Sequence, residues 1–231
     1  MTKDEAIKKL LEAAAIEIGY ASSAGKNNKY AKYMDSVTNY YNGKKNGFDW
    51  CEVFVDYMFL VTFGNPKGRL MVRQPEKSLG AACPYSANYY IKAGAWSSKP
   101  EKGAQAFLGK RGDEYHTGIV ESFTSSTVTL IEGNAGGGNG KVMRRTWNIS
   151  SFSGFGIPDW SQVAEVTPSP APAPKKNTPV TAKDIERIAS EIGYKAVNVL
   201  RGVYGKERKA KLGEWYDPVQ WVINKAYKEK E

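Results

Sequence analysis

Histidine and cysteine are scarce in this sequence. The 231-residue chain contains one histidine, His116, and two cysteines, Cys51 and Cys83. Two cysteines exclude a disulfide scaffold, and we expect the chain to fold in a reduced state. One histidine and two distant cysteines also exclude a four-ligand structural zinc site. Any chemistry that needs a histidine base must therefore use His116.

Long apolar segments are also absent. The sequence has no run of about 18 apolar residues, so it predicts no insertion into a membrane. Residues 1–20 lack an uninterrupted apolar core and contain acidic residues, unlike a secretory signal. We therefore expect synthesis in the cytoplasm without a signal peptide. An activity outside the cell would require a separate route of release.

Positive charge exceeds negative charge but is not concentrated. The net charge is +9, and the basic residues form no dense block. Such a balance suits a polyanion, including an anionic cell envelope, and we expect no nucleic-acid partner. A basic nucleic-acid binder is kept as an alternative, and it predicts salt-sensitive association with DNA.

Helical patterns come first in the chain and strand patterns follow. A T-x-x-E capping box at Thr2 and Glu5 begins a helix that ends at Gly19. Further helices are predicted at 30–37, from Cys51 to about residue 63, and at 83–92. From Gln105 onward the pattern changes, and short strands are predicted at 105–108, 117–123, 128–132, 142–147 and 154–158. This order predicts an α+β fold with helices packed on an antiparallel sheet.

Alternating prolines mark a domain boundary. Pro168, Pro170, Pro172 and Pro174 disfavour both helix and sheet and predict an extended spacer. We therefore divide the chain into an N-terminal domain at 1–160, a linker at 161–180 and a small all-α domain at 181–231. About 50 residues make a small core, for which three helices are a suitable arrangement.

Cys51 lies at the start of a predicted helix, where free N–H groups and the helix dipole favour an anion. Asp49 is the predicted N-cap, which places Cys51 at about the second helical position. A thiolate is such an anion, so Cys51 is a candidate nucleophile. The alternative is a small buried cysteine without a catalytic role. Cys83 is the competing nucleophile, but Pro84 suits the first helical position and would place Cys83 at the cap.

His116 is predicted at the mouth of a strand, and an activated cysteine needs a base within hydrogen-bond reach. Glu132 and Asn134 follow at the end of the next strand, on one face by period two. If the two strands are antiparallel, either side chain can accept from the imidazole. Asn134 has an alternative role in starting the glycine-rich loop that follows. That loop lacks the G-x-x-x-x-G-K-[ST] pattern of a phosphate-binding loop.

Several motifs occur together in an order that resembles the CHAP family of papain-like cysteine hydrolases. They are Asp49-Trp50-Cys51, the segment from His116 to Glu121, and Ile131-Glu132-Gly133-Asn134. The resemblance covers about residues 5–158. It implies that Cys51 is the nucleophile, His116 the base, Glu132 the orienting carboxylate and Asn134 a supporting polar group. Trp50 is a candidate substrate contact.

The CHAP resemblance also implies a substrate and a type of reaction. Members of the family cut peptidoglycan amides, either between muramic acid and L-alanine or within the stem and cross-bridge peptides. No cofactor is expected. A structural calcium ion, held by Asp, Asn and backbone oxygens in residues 20–48, is left open.

Residues 196–224 resemble the three-helix wall-binding repeat of some phage lysins. The resemblance implies contacts to the wall from Arg208, Tyr216 and Gln220. The alternative is an ordinary helical cap. Together with the spacer and the CHAP-like segment, this pattern predicts a monomeric phage or prophage endolysin that acts on bacterial peptidoglycan after release. A non-catalytic wall-binding protein is the alternative.

Overall fold

The computed structural model describes residues 1–163. The chain divides into two units, Met1–Thr167 and Pro168–Glu231, and the described residues belong to the first. Most of the predicted linker and all of the predicted three-helix domain lie outside the described residues. Within them, no helix combines the length and the apolar character needed to cross a membrane.

Five α-helices occupy the first part of the described chain. Helix α1 begins after the predicted capping box, in which Thr2 Oγ1 accepts from the Glu5 N–H and the Glu5 carboxylate accepts from the Thr2 N–H. The helices are α1 Lys3–Ile16, α2 Lys29–Ser36, α3 Cys51–Phe63, α4 Lys67–Met71 and α5 Cys83–Lys92. Short 3₁₀ turns cover Ala24–Lys26, Ile149–Ser151 and Trp160–Gln162. Helix α4 was not predicted, because it is a single short turn in a segment rich in Gly and Pro.

A six-stranded sheet follows the helices, with the strand order β1-β6-β2-β3-β4-β5. Its strands are β1 Trp96–Ser97, β2 Gln105–Lys110, β3 Asp113–Phe123, β4 Thr127–Ala135, β5 Lys141–Asn148 and β6 Phe152–Gly156. Every pairing within this sheet is antiparallel. The predicted α+β class is therefore confirmed, and each predicted strand has a counterpart. Strand β1 was missed because two residues carry no periodic pattern.

Helix α3 is the centre of the helical layer. It contacts α1, α2 and α4 on its flanks and packs on β3 and β4 of the sheet. The main apolar core lies between this layer and the sheet, and a second core covers the opposite face around Leu108, Val120 and Leu130. Burial on nearly all sides makes even Glu52 and Asp56 inaccessible to solvent.

Candidate active site

An open cleft of about 580 Å³ lies where helices α3 and α5 begin, beside the ends of strands β3 and β4. Cys51 and His116, the predicted nucleophile and base, line this cleft, whereas Glu132, the predicted orienting carboxylate, is fully buried behind it. Its lining includes Asp49, Cys51, Cys83, His116, Asn134, Arg145 and Trp147. The fold thus brings residues separated by up to 98 positions, Asp49 to Trp147, to one surface.

Cys51 is the first residue of helix α3, and Trp50 is the N-cap. The prediction that Asp49 caps this helix is wrong, and Cys51 lies one position earlier in the helix than predicted. The Asp49 carboxylate is engaged elsewhere: it accepts from Lys26 Nζ at 2.5 Å and from Asn134 Nδ2 at 2.7 Å. Those two hydrogen bonds lower its pKa. The helix start still offers unpaired N–H groups, because intrahelical bonding begins with the Phe54 N–H to the Trp50 carbonyl at 2.9 Å.

Strand β3 delivers His116 to the cleft, and strand β4 delivers Glu132 beside it. The His116 Nε2 and a carboxylate oxygen of Glu132 form a direct hydrogen bond. Strands β3 and β4 are antiparallel, as the sequence argument assumed. Gly118 leaves room for this pair, because a Cβ at that position would lie 2.9 Å from the Glu132 Cβ. With Nε2 occupied by Glu132, Nδ1 is the ring nitrogen available to Cys51.

A second glycine allows strand β4 to approach helix α3 closely. A Cβ on Gly133 would lie 2.5 Å from the Phe54 side chain and 2.7 Å from the Trp50 ring. A side chain there would push the strand that carries Glu132 away from the helix that carries Cys51. This role of Gly133 was not predicted, because close packing of a strand backbone against helix side chains leaves no periodic signal in the sequence.

Glu132 has two further donors that the sequence argument missed. Trp147 Nε1 donates to its Oε1 at 3.2 Å, and Arg145 Nε lies 3.3 Å from the same oxygen. The Arg145 guanidinium also stacks over the Trp147 ring, 4.2 Å from the centroid. Both residues project from one face of β5, next to β4. Their spacing of two on a predicted strand was the signal that could have identified them.

The sequence left Asn134 as an alternative acceptor for the His116 ring N–H, and in the structure Glu132 occupies that position. The Asn134 backbone adopts φ +56°, and the register between β4 and β5 shifts between Glu132 and Ala135. This irregularity breaks the alternation that placed Glu132 and Asn134 on one face. The Asn134 amide instead donates to Asp49, so it joins strand β4 to the segment just before Cys51.

The thiol of Cys51 and the imidazole of His116 alter each other's protonation. Cys51 has its pKa lowered to about 5: the hydrogen bond from Cys83 is the largest cause, burial opposes it, and His116 lowers it further. Burial alone would lower the pKa of His116, but its interactions with Cys51 and Glu132 raise it to about 9. A thiolate next to an imidazolium is therefore the favoured state between these two values.

Cys83 lies next to the Cys51 thiol, which the sequence did not predict. It is the first residue of α5, not the cap, so the reason for ranking it below Cys51 is wrong. Its Sγ lies 3.7 Å from the Cys51 Sγ. The hydrogen bond with Cys51, burial and the neighbouring negative charges raise the pKa of the Cys83 thiol well above its ordinary value. Because His116 acts on Cys51 and Cys83 stays protonated, the geometry favours Cys51 as the nucleophile.

A buried polar bridge joins the helix that carries Cys51 to the strand that carries His116. Gln105 Nε2 donates to Glu52 Oε2 at 2.8 Å and to Thr117 Oγ1 at 3.1 Å. Thr117 in turn donates to the Ala106 carbonyl at 2.7 Å. Glu52 follows Cys51 and Thr117 follows His116 in the chain. This Glu52–Gln105–Thr117 bridge therefore fixes the two reactive side chains from behind.

The prediction that Trp50 contacts substrate is wrong. Its side chain is fully buried, stacks on Tyr30 at a centroid distance of 5.4 Å and donates from Nε1 to the Asn139 carbonyl at 3.1 Å. Trp50 is a core residue that supports the glycine-rich loop. The other predicted substrate contacts, Arg208, Tyr216 and Gln220, lie outside the described residues.

No cluster of three or more His, Cys, Asp and Glu residues suited to a metal ion occurs among residues 1–163. In the segment where calcium was left open, the Asp35 carboxylate accepts the backbone N–H groups of Lys45 and Asn46 at 2.7 and 3.1 Å. Asp35 therefore has a structural role in closing this loop.

Comparison with known proteins adds little to this geometry. No protein-family model matches the chain, and no curated protein matches it. A crystal structure of the NlpC/p60 domain of the peptidoglycan hydrolase SagA is similar at a TM-score of 0.36 and 17% sequence identity. That likeness covers 65% of this chain and 97% of the other. Similarity at this level does not assign a function to the cleft.

Proposed function

We propose that this chain is a cysteine-dependent peptidoglycan hydrolase that cuts an amide bond of the bacterial cell wall. The observation that carries the proposal is the Cys51, His116 and Glu132 arrangement at the start of a helix, inside an open cleft. A thiolate, an imidazolium and a carboxylate in this order are the groups that cysteine acyl transfer requires.

The first step is attack of the Cys51 thiolate on the amide carbonyl carbon. The carbonyl oxygen gains negative charge, and the unpaired N–H groups in the first turn of α3 supply donors for it. His116 then gives its proton to the leaving amine, and an acyl-enzyme remains. Water, activated by the now neutral His116, attacks the acyl-enzyme and releases Cys51.

Glu132 acts on this sequence through His116. Its hydrogen bond to Nε2 holds the ring in one orientation and stabilises the imidazolium. Arg145 and Trp147 hold Glu132 from the other side. Asn134 supports the site indirectly, through the Asp49 carboxylate next to the helix start.

Support for peptidoglycan as the substrate comes from the sequence. The motifs around Cys51, His116 and Glu132 resemble the CHAP family, and a net charge of +9 suits an anionic wall. We further propose that the enzyme is a phage or prophage endolysin, and that residues 181–231 bind the wall through Arg208, Tyr216 and Gln220. The bond that it cuts is either the muramoyl–L-alanine amide or a peptide bond of the stem or cross-bridge.

The test is turbidity loss of isolated bacterial walls by the full chain and its Cys51→Ala variant. The variant is expected to lose lysis by at least about 1,000-fold, because the nucleophile is absent, and to keep wall binding in a sedimentation assay. Mass spectrometry of the digest then distinguishes a newly freed N-terminal alanine from a cut cross-bridge. Full lysis by Cys51→Ala, or lysis lost only with Cys83→Ala, would contradict the assignment.

A non-catalytic wall-binding protein is the competing hypothesis. It predicts binding without lysis and an inert buried thiol at Cys51. Rapid labelling of Cys51 by iodoacetamide near neutral pH is expected for an activated thiolate and not for an inert thiol. This measurement needs no substrate. It therefore distinguishes an activated thiolate at Cys51 from an inert thiol without knowledge of the natural cell-wall substrate.

A further inference from the structure

Both cysteines of the chain meet at the floor of the cleft. Cys51 begins α3 and Cys83 begins α5, and their sulfurs are 3.7 Å apart although 32 positions separate them in sequence. No heavy atom fits between sulfurs at this distance. Each residue is 5% exposed, and both line the cleft, so a small solute has access to the pair.

The two sulfurs differ in protonation. Cys51 has a lowered pKa because Cys83 donates to its sulfur, with His116 adding to this effect. The Cys83 pKa is raised because the same contact favours its protonated form. One sulfur is a nucleophile and the adjacent one is a thiol, which is the arrangement of a reactive cysteine with a resolving partner.

We propose that the Cys51–Cys83 pair is a reversible modification site, at which hydrogen peroxide converts the two thiols to an intramolecular disulfide and a thiol reductant restores them. The proposal rests on the contact between the two sulfurs and their access to the cleft. It does not require the proposed function to be correct.

The chemistry balances in two steps. The Cys51 thiolate attacks one peroxide oxygen, an S–O bond forms, the O–O bond breaks, and the hydroxide that leaves takes a proton to become water. The sulfur of Cys83 then attacks the sulfur of Cys51. An S–S bond forms, the S–O bond breaks, and the departing hydroxide takes the proton from Cys83. Two thiols are oxidised by two electrons, and one peroxide is reduced to two waters.

Disulfide formation requires the sulfurs to approach from 3.7 Å to about 2.05 Å. Both side chains line the cleft at helix starts, and closing this distance requires rotation about their Cα–Cβ bonds. If the proposed function holds, the disulfide removes the nucleophile and stops hydrolysis. It also protects Cys51 from sulfinic and sulfonic acids, which thiols do not reverse.

The experiment treats the full reduced chain with hydrogen peroxide and then alkylates it with iodoacetamide under denaturing conditions. Intact mass is expected to fall by two hydrogen atoms before alkylation, and both alkylation sites are expected to be lost. A proteolytic digest should contain one cross-linked pair of peptides that carry Cys51 and Cys83. Dithiothreitol should restore both alkylation sites.

Two matched variants test the separate roles of Cys51, which attacks peroxide, and Cys83, which resolves the oxidised sulfur. In Cys83→Ser, Cys51 has no resolving partner and is expected to gain two or three oxygen atoms that dithiothreitol does not remove. In Cys51→Ser, Cys83 is expected to stay alkylatable at peroxide doses that oxidise the unmodified chain. Circular dichroism of each variant checks that the fold is retained.

Three results would overturn the proposal. They are a sulfinic or sulfonic acid at Cys51 of the unmodified chain with Cys83 still free, a disulfide between two chains, and peroxide that leaves both thiols unchanged. Disulfide formation together with undiminished lysis by Cys51→Ala would instead leave the modification site standing and contradict the proposed function.

Discussion

Two glutamates in this protein are equally buried and have opposite surroundings. Glu132 and Glu52 both have 0% of their surface exposed. Glu132 faces His116, Arg145 and Trp147, which are all nitrogen donors. Glu52 receives one amide hydrogen bond from Gln105, and its Oε1 has no hydrogen-bond partner.

The two glutamates differ in the partners that surround their buried carboxyl groups. Burial, and then the neighbouring Asp56 carboxylate, raise the pKa of Glu52 well above its ordinary value, so Glu52 is held neutral. Two of the three groups around Glu132 can carry positive charge. The chain therefore contains one glutamate that can stabilise an imidazolium and one that serves as a neutral link behind the active site.

The sharpest test of this comparison is the same substitution at both positions. Glu132→Gln is expected to lower wall lysis by about 100-fold to 10⁴-fold, because the orienting carboxylate is lost. Glu52→Gln is expected to change lysis by less than about threefold, since an amide replaces a neutral acid and can still accept from Gln105. Initial rates of turbidity loss measure both effects. Equal losses in the two variants would contradict the distinction.

The pH dependence of lysis gives the second test. Activity should fall as the pH drops through about 5, where Cys51 becomes a thiol, and should fall as it rises through about 9, where His116 loses its proton. In Glu132→Gln, the decline of the residual activity on the basic side should occur at a lower pH than in the unmodified chain. The reason is that Glu132 is one cause of the raised His116 pKa. If this decline occurs at the same pH in both proteins, Glu132 does not act through His116.

The Glu52–Gln105–Thr117 bridge predicts a stability effect of intermediate size. Thr117→Val preserves shape but leaves one N–H of Gln105 Nε2 without its acceptor and removes the hydroxyl that donates to the Ala106 carbonyl, at a cost of about 1–3 kcal/mol in the free energy of unfolding. Thr129→Val is the matched control. It removes an exposed hydroxyl that contacts Thr146 at 2.9 Å, and a change within about 0.5 kcal/mol is expected. Urea titration compares the two, and similar losses would argue against the bridge.

The smallest expected effect concerns the far side of Glu132. Trp147→Phe keeps an aromatic ring under Arg145 but removes the Nε1–H that donates to Glu132 at 3.2 Å. Loss of one of three donors is expected to cost about 1 kcal/mol, or roughly a fivefold drop in the rate of lysis. The initial-rate assay measures this change. A loss as large as that of Glu132→Gln would mean that Trp147 contacts the substrate itself.

Sequence reasoning succeeded where the signal was local. The capping box at Thr2, the helices from Cys51 and Cys83, and the succession of short strands each follow from residues within a few positions. Scarcity of histidine also selected His116, and strand alternation left Glu132 and Asn134 as alternatives for the orienting group, of which the resemblance to the CHAP family implied Glu132. The structure places His116 beside Cys51 and Glu132 against His116, while their catalytic roles remain predictions.

Local patterns failed where a side chain had a distant partner. Asp49 is an ordinary N-cap residue by composition, but Lys26 and Asn134 bind its carboxylate. Trp50 seemed suited to substrate contact, and tertiary packing buries it against Tyr30. Glu52 and Asp56 fall on what a helical pattern treats as a polar face, yet neighbouring elements cover them.

The sequence by itself determined the α+β class, the order and approximate positions of most elements, and a short set of reactive residues. These depend on periodicity, capping and residue scarcity, which can be recognised in a sequence without knowledge of the fold. Only the tertiary structure decided that Cys51 touches Cys83, that Glu132 and not Asn134 holds His116, and that Arg145 and Trp147 complete the site. Such contacts join strands and helices far apart in the chain, so their physical cause is the packing of α3 and α5 on the sheet.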